Sequence, residues 1–129
     1  MSTGPMETRE TAEIKETILI VDDHPVNVKL LEKILKSAGY GTLSAENGPD
    51  GRSLAALRLP DLILLDIMMP GESGFESCEL LKKDPRTAHI PIVFLSAKTD
   101  TESKVTGLKL GAVDYMTKPF DKTEVLARV

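Results

Sequence analysis

Several features that mark whole classes of protein are scarce or missing in this sequence. Cys78 is the one cysteine in 129 residues. No internal disulfide can form, and a reducing compartment, the cytoplasm, is the simple reading. There is no basic excess: 16 Lys and Arg face 20 Asp and Glu, a formal net charge of −4. That argues against nucleic acid as a direct partner of this segment. The longest apolar runs, Ile18-Leu-Ile-Val21 and Leu62-Ile-Leu-Leu65, fall far short of the roughly 20 residues a membrane-spanning helix needs. The N-terminus lacks the apolar core of a signal peptide. No internal repeat, low-complexity segment or Gly-rich nucleotide loop occurs, and the last absence excludes a nucleotide-binding kinase core for this segment.

What is present is an ordinary globular composition, 41% hydrophobic and 28% charged, in a length that fits one domain. A domain of this size buries about two thirds of its unfolded surface without needing covalent staples. Residues 1–15 are rich in Ser, Thr and Glu and show no apolar period, so they read as a flexible tail ahead of a domain at 16–129. From there the chain alternates. Apolar, β-branched runs at 17–21, 42–45, 61–65, 90–95 and 113–116 read as strands. Between the first two, Leu30, Leu31, Ile34, Leu35 and Ala38 hold helical spacing, with Gly39 as a stop. Asn47-Gly-Pro-Asp50 opens a second helix. Thr99-Asp-Thr-Glu102 and Asp121-Lys-Thr-Glu124 have the spacing of N-terminal caps for two more.

Short strands alternating with helices imply an α/β fold, a doubly wound parallel sheet with helices on both faces. The first and third runs are apolar without alternation, as strands buried on both sides should be. The flavodoxin-like order 2-1-3-4-5 is the natural candidate, and it places ligands beyond the carboxyl ends of strands one and three. Strand one ends in Asp22 and Asp23, and strand three in Asp66. Any one of these could simply end a strand and cap the next helix. Three carboxylates at one sheet edge instead call for raised pKa values or a cation. Oxygen donors with no Cys or His among them favour Mg²⁺. Ser96 and Lys118 end strands four and five. Each alone would read as an ordinary turn or surface residue. With the acids they form a set in which metal and ammonium stabilise a transferring phosphoryl group and a hydroxyl donates to it. Spacing alone does not select Asp66 over Asp22 or Asp23 as nucleophile.

Val21-Asp22-Asp23, Leu65-Asp66-Ile-Met-Met-Pro70-Gly71, Ser96-Ala97 and Lys118-Pro119-Phe120 resemble, in order and spacing, the motifs of response-regulator receiver domains. The similarity covers residues 16–129. It implies that Asp66 is the phosphoacceptor and that Mg²⁺ is held by Asp23, Asp66 and the backbone carbonyl of Met68, with Asp22 acting mainly through a bound water. It implies that Lys118 pairs with Asp66 and then with a phosphoryl oxygen, across a cis bond to Pro119. Ser96 and Tyr115 become the two parts of a switch that changes the face formed by the fourth helix, fifth strand and fifth helix. Met68 and Lys98 occupy the positions that flank the path of a hydrolytic water. The implied partners are a histidine kinase or phosphotransfer protein, with a homodimer through the switching face as a further possibility. The chain stops about two turns into a fifth helix that usually runs longer in this family, so it is expected either to be part of a larger protein or to lack its terminal turn, and an output domain, if one exists, is not visible in it.

Two rivals remain. A flavodoxin-type cofactor site needs a Ser/Thr/Gly-rich phosphate loop after strand one, where this chain has Asp22-Asp-His-Pro25. A haloacid-dehalogenase-like phosphatase carries its nucleophile after strand one and usually needs a cap, for which this chain is too short. His24 and His89 read as cap or surface residues rather than phosphoryl carriers.

Overall fold

Runs of branched aliphatic residues lose little on being extended, and they bury well between two helical layers. Such runs form all but the outer strands here. The computed structural model describes residues 16–96, 109, 111, 114–118 and 120–129. The strands are β1 (Thr17–Val21), β2 (Gly41–Ala45), β3 (Leu62–Asp66), β4 (Ile92–Ser96) and β5 (Asp114–Thr117). All pair in parallel, in the order β2-β1-β3-β4-β5. The expected topology is borne out. The described helices are α1 (Pro25–Ser37), α2 (Gly48–Arg58), α3 (Gly74–Lys83) and a seven-residue C-terminal α4 (Lys122–Arg128).

The two-residue period of each strand sends alternate side chains into two separate cores. Leu19, Val21, Ile63, Leu65, Ile92 and Phe94 pack with Ala55 of α2 and with Cys78 and Leu81 of α3. Ile18, Ile20, Leu64, Val93, Leu95 and Met116 pack with Leu31, Ile34 and Leu35 of α1 and Val125 of α4. Truncating one such buried Leu to Ala typically costs about 2–5 kcal/mol, so the sheet is a rigid platform for whatever stands on its edge.

Helix starts follow local chemistry. Pro25 opens α1, Asn47 accepts from the Asp50 amide at α2, and Asp121 accepts from the Glu124 amide at α4. The cap of α3 escapes the sequence reading. Ser73 and Glu76 form a reciprocal capping box, a spacing as legible as the two that are singled out above. Two strand starts also move inward. Pro91 has no N–H to donate to a ladder, so β4 begins at Ile92 rather than residue 90. Asp61 turns its carboxylate back to the Thr17 amide, 2.9 Å away, and β3 begins at Leu62. Residues 1–15, the expected cap at 99–102, Lys98 and Pro119 lie outside the described residues. Among the described residues no helix is long and apolar enough to cross a membrane.

Candidate functional site

The pairing register decides which side chains meet. Val21 stands beside Leu65, so the residues that follow them, Asp22 and Asp66, emerge side by side at the carboxyl edge. Asp66 pairs with Leu95, and Ser96 with Thr117, which brings Ser96 and Lys118 to the same edge. The Lys118 amide donates to the Ser96 carbonyl at 2.9 Å. The chain beyond Asp66 folds back at once, and the Gly74 amide donates to the Ile67 carbonyl at 2.9 Å. A β-carbon on Gly74 would run into the backbone carbonyl oxygen of Asp66. Gly71 takes φ +80, the left-handed region, to complete the turn. Glycine therefore allows this loop to close over the strand end that carries Asp66.

Asp66 is 1% exposed, and Asp22 is fully buried. Lys118 Nζ donates to Asp66 Oδ1 at 2.9 Å and lies 3.7 Å from Asp22 Oδ2. Asp22 is further held by the backbone amide of His24 at 2.9 Å and by Asn27 at 3.3 Å. Two oxygens are left over. Asp66 Oδ2 and Asp23 Oδ1 are buried and have no hydrogen-bond partner among the described residues. His24 Nδ1 comes within 3.0 Å of that Asp23 oxygen, but not in hydrogen-bonding alignment. Burial pushes the Asp66 carboxyl above the ordinary carboxylate range. Lys118 opposes the shift, and the charges of Asp22 and Asp23 add to it.

Orphaned buried acceptors are rare and costly, and a cation satisfies both at once. The donor set therefore fits a divalent metal. Asp22, Asp23, His24 and Asp66 each offer a ligand atom, all within 4.8 Å of one another. His24 is the cap or surface residue that the sequence suggests, and its ring nitrogen is hydrogen-bonded to Asp22 Oδ1 at 3.2 Å. It is the N-cap of α1, yet its side chain makes no capping bond.

The remaining residues take these places. Ser96 is 2% exposed, and its hydroxyl makes a long contact of 3.5 Å to the Met116 carbonyl. Tyr115 is half-buried against the core that contains Phe94, with the Arg128 guanidinium 6.0 Å from its ring centre. Met68 is 71% exposed. A network that the sequence gives no sign of braces the loop after β3. Arg52 of α2 makes two bonds of 2.8 Å to Glu72, which also accepts from the buried Ser77 at 2.5 Å. The hydrogen bond from Arg52 holds the Glu72 carboxyl below the usual glutamate range.

This geometry has close counterparts. Response regulator PleD of Caulobacter vibrioides is 47% identical over 112 residues, covering 87% of this chain and 25% of PleD. Protein PilH of Pseudomonas aeruginosa is 43% identical over 112 residues, covering 87% of this chain and 93% of PilH. The signal receiver domain of a signal transduction histidine kinase from Syntrophus aciditrophicus superposes with a TM-score of 0.79 at 34% identity, covering 88% of this chain and 86% of that one. The chain thus spans only a quarter of PleD but nearly the whole of PilH. The response regulator receiver domain family matches residues 18–129, and neither the flavodoxin nor the phosphatase alternative gains support. With a matching sheet order and its acids, hydroxyl and lysine gathered on one edge, the chain belongs to the response regulator receiver domain family of two-component signal transduction.

Proposed function

We propose that Asp66 is the phosphoacceptor of this receiver and that it works with Mg²⁺. The observation that carries the reading is the state of its carboxylate. One oxygen is held by Lys118 at 2.9 Å, while the other is buried without a partner beside Asp22 and Asp23. An Asp66 oxygen attacks the phosphorus of a phosphorylated histidine on a kinase or phosphotransfer protein. The new P–O bond forms as the P–N bond breaks, and the histidine leaves with the electron pair. Lys118 holds the carboxylate in place beforehand, then turns its ammonium to a phosphoryl oxygen. Ser96 exchanges its weak 3.5 Å contact for a bond to the phosphoryl group. Asp23, Asp66 and the Met68 carbonyl would hold the metal, with Asp22 acting through a water. The ion supplies charge neutralisation for the transferring group.

In this reading residues 16–129 form the receiver unit, residues 1–15 are a tail, and the domain works in the cytoplasm. It catalyses nothing beyond its own phosphorylation and slow dephosphorylation. Output lies in a partner or another domain, reached through the face that includes β5 and α4, where Tyr115 is the second switch residue and a homodimer can form. The Lys118–Pro119 bond is proposed to be cis. Incubation with labelled acetyl phosphate and Mg²⁺ tests the core of the proposal. Wild type takes up one acid-stable, base-labile phosphate, and Asp66→Asn takes up none. Full labelling of the Asn protein would overturn the assignment.

A further inference from the structure

We propose that Arg52 is a positioning residue of this receiver, acting through Glu72 to preset the loop after β3 for phosphoryl transfer. The inference rests on the reading that Asp66 is phosphorylated with Mg²⁺ and that the Met68 carbonyl is a ligand. The stretch from Met68 to Gly71 runs between two fixed points. At one, the Ile67 carbonyl accepts from the Gly74 amide, and the side chains of Ile67 and Met69 are buried in the core. At the other stands Glu72, the one residue from Ile67 to Glu72 whose side chain carries a strong hydrogen-bonding group. Both of its oxygens are taken. Arg52 Nη2 donates to Oε1, while Arg52 Nε and the Ser77 hydroxyl donate to Oε2. A planar guanidinium that grips both oxygens fixes the orientation of a carboxylate as well as its place.

The helix that carries Arg52 is itself closely seated. Gly48, Gly51, Arg52 and Ala55 recur at helical spacing and share one face of α2. A β-carbon on Gly48 would collide with Ser77 Oγ and Glu72 Oε2, and one on Gly51 would come within 2.7 Å of Val21. Ala55 is fully buried. Val21 immediately precedes Asp22, and Glu72 lies in the loop that follows Asp66. One face of small residues thus rests on the strand that leads into the first acids and on the loop that leaves the third. Arg52 is the one long side chain on that face. This seating is independent of the hydrogen bonds, and it ties Arg52 to the spacing of the two acid-bearing segments.

The sign of the effect separates positioning from charge. Loss of a cation near an acidic site should by itself tighten Mg²⁺ binding. Loss of the arm that presets a ligand should weaken it, by about tenfold. The test is calorimetric titration of the full chain with Mg²⁺, together with the Mg²⁺ dependence of labelling by acetyl phosphate, for wild type, Arg52→Ala, Arg52→Lys and Arg52→Ala/Glu72→Gln beside Glu72→Gln. Arg52→Ala should bind Mg²⁺ about tenfold more weakly. Its half-saturating Mg²⁺ for labelling should rise by the same factor, with a far smaller fall in the rate at saturation. Arg52→Lys keeps the charge without the two-pronged grip and should recover only part of the loss. The double variant should bind no more weakly than the worse of its two single variants, because the two residues act as one unit. Mg²⁺ binding that is unchanged or tighter in Arg52→Ala would overturn the proposal. Should the Ala protein fail to fold, wild-type Mg²⁺ binding by Arg52→Lys would overturn it instead. A wild type that takes up no phosphate would bring down the reading of the site, whereas normal labelling of wild type beside unchanged Mg²⁺ binding in the Arg52 variants would overturn the positioning role alone.

Discussion

Replacing Asp66 with Asn should stabilise the folded protein while abolishing its chemistry. In the metal-free site Asp66 Oδ2 and Asp23 Oδ1 are both buried acceptors without donors among the described residues. Asn keeps the size of the side chain and its acceptor for Lys118, and it presents an N–H₂ group toward the neighbouring carboxylates. It also removes one negative charge from the cluster. Leaving one buried acceptor unsatisfied costs about 1–3 kcal/mol, so a gain of about 1–2 kcal/mol is expected at pH 7 without metal. For a domain of this length that is about 4–8 °C in Tm. The pH dependence has a definite sign. The folded Asp66 carboxyl titrates above its unfolded value. Its penalty is therefore complete above the folded pKa and fades as pH falls through that value toward the ordinary carboxylate range. The advantage of Asn should shrink on acidification. It should also shrink with Mg²⁺, because an ion at ten times its Kd stabilises wild type by about 1.4 kcal/mol. Thermal melts of both proteins at several pH values, with and without Mg²⁺, provide the measurement. An Asn variant less stable than wild type at pH 7 without metal, or a gap indifferent to Mg²⁺, would refute the reasoning.

Glu72→Gln should cost about 1–2 kcal/mol at pH 7 in urea denaturation, since it weakens a charge-assisted pair that is largely shielded from water. Because Arg52 holds the Glu72 carboxyl low, that contribution is complete above the ordinary glutamate pKa and is lost as pH falls through the lower folded value. Leu59 ends α2 at φ 49 and is 54% exposed, so Leu59→Gly should stabilise by about 0.5–1 kcal/mol by the same assay. Gly74→Ala should destabilise by about 2–3 kcal/mol through overpacking against the Asp66 carbonyl and should slow labelling by acetyl phosphate. Met68 and Lys98 offer no acid or amide to orient a hydrolytic water. The phosphorylated Met68→Asn/Lys98→Glu protein should therefore decay faster than wild type in a phosphate-release assay.

The fold was legible because its signals are local and repeated. Unbroken aliphatic runs at Ile18–Val21 and Leu62–Leu65 can only be buried from both sides, and the strand order makes neighbours of their ends. Asp22, Asp23 and Asp66 follow from that order without any knowledge of side-chain positions. The parts that were missed depend on distance in space. Arg52 and Glu72 are 20 residues apart, and nothing in either segment announces the other. His24 was hidden for a different reason. A histidine ahead of Pro25 looks like a helix start, which it is, and only the folded chain shows its ring hydrogen-bonded to Asp22. The start of α3 is local in kind, written as Ser73 and Glu76 three residues apart.

The brace between Arg52, Glu72 and Ser77 divides the rim of the site into two unequal sides. On one side the loop after β3 is fastened to α2 and α3 by three short bonds. On the other, the hydroxyl of Ser96 makes one long contact of 3.5 Å among the described residues. A new charge on Asp66 would be expected to displace the less restrained side more. On modification of Asp66 the outer surface of α2 and α3 is therefore expected to change less than the flank that carries Ser96. A protein that grips that surface can hold the receiver without knowing its state. A protein that must know the state has to read the opposite flank. Recognition and readout would then be kept apart in space by one half-buried carboxylate, twenty residues distant in sequence from the arginine that anchors it.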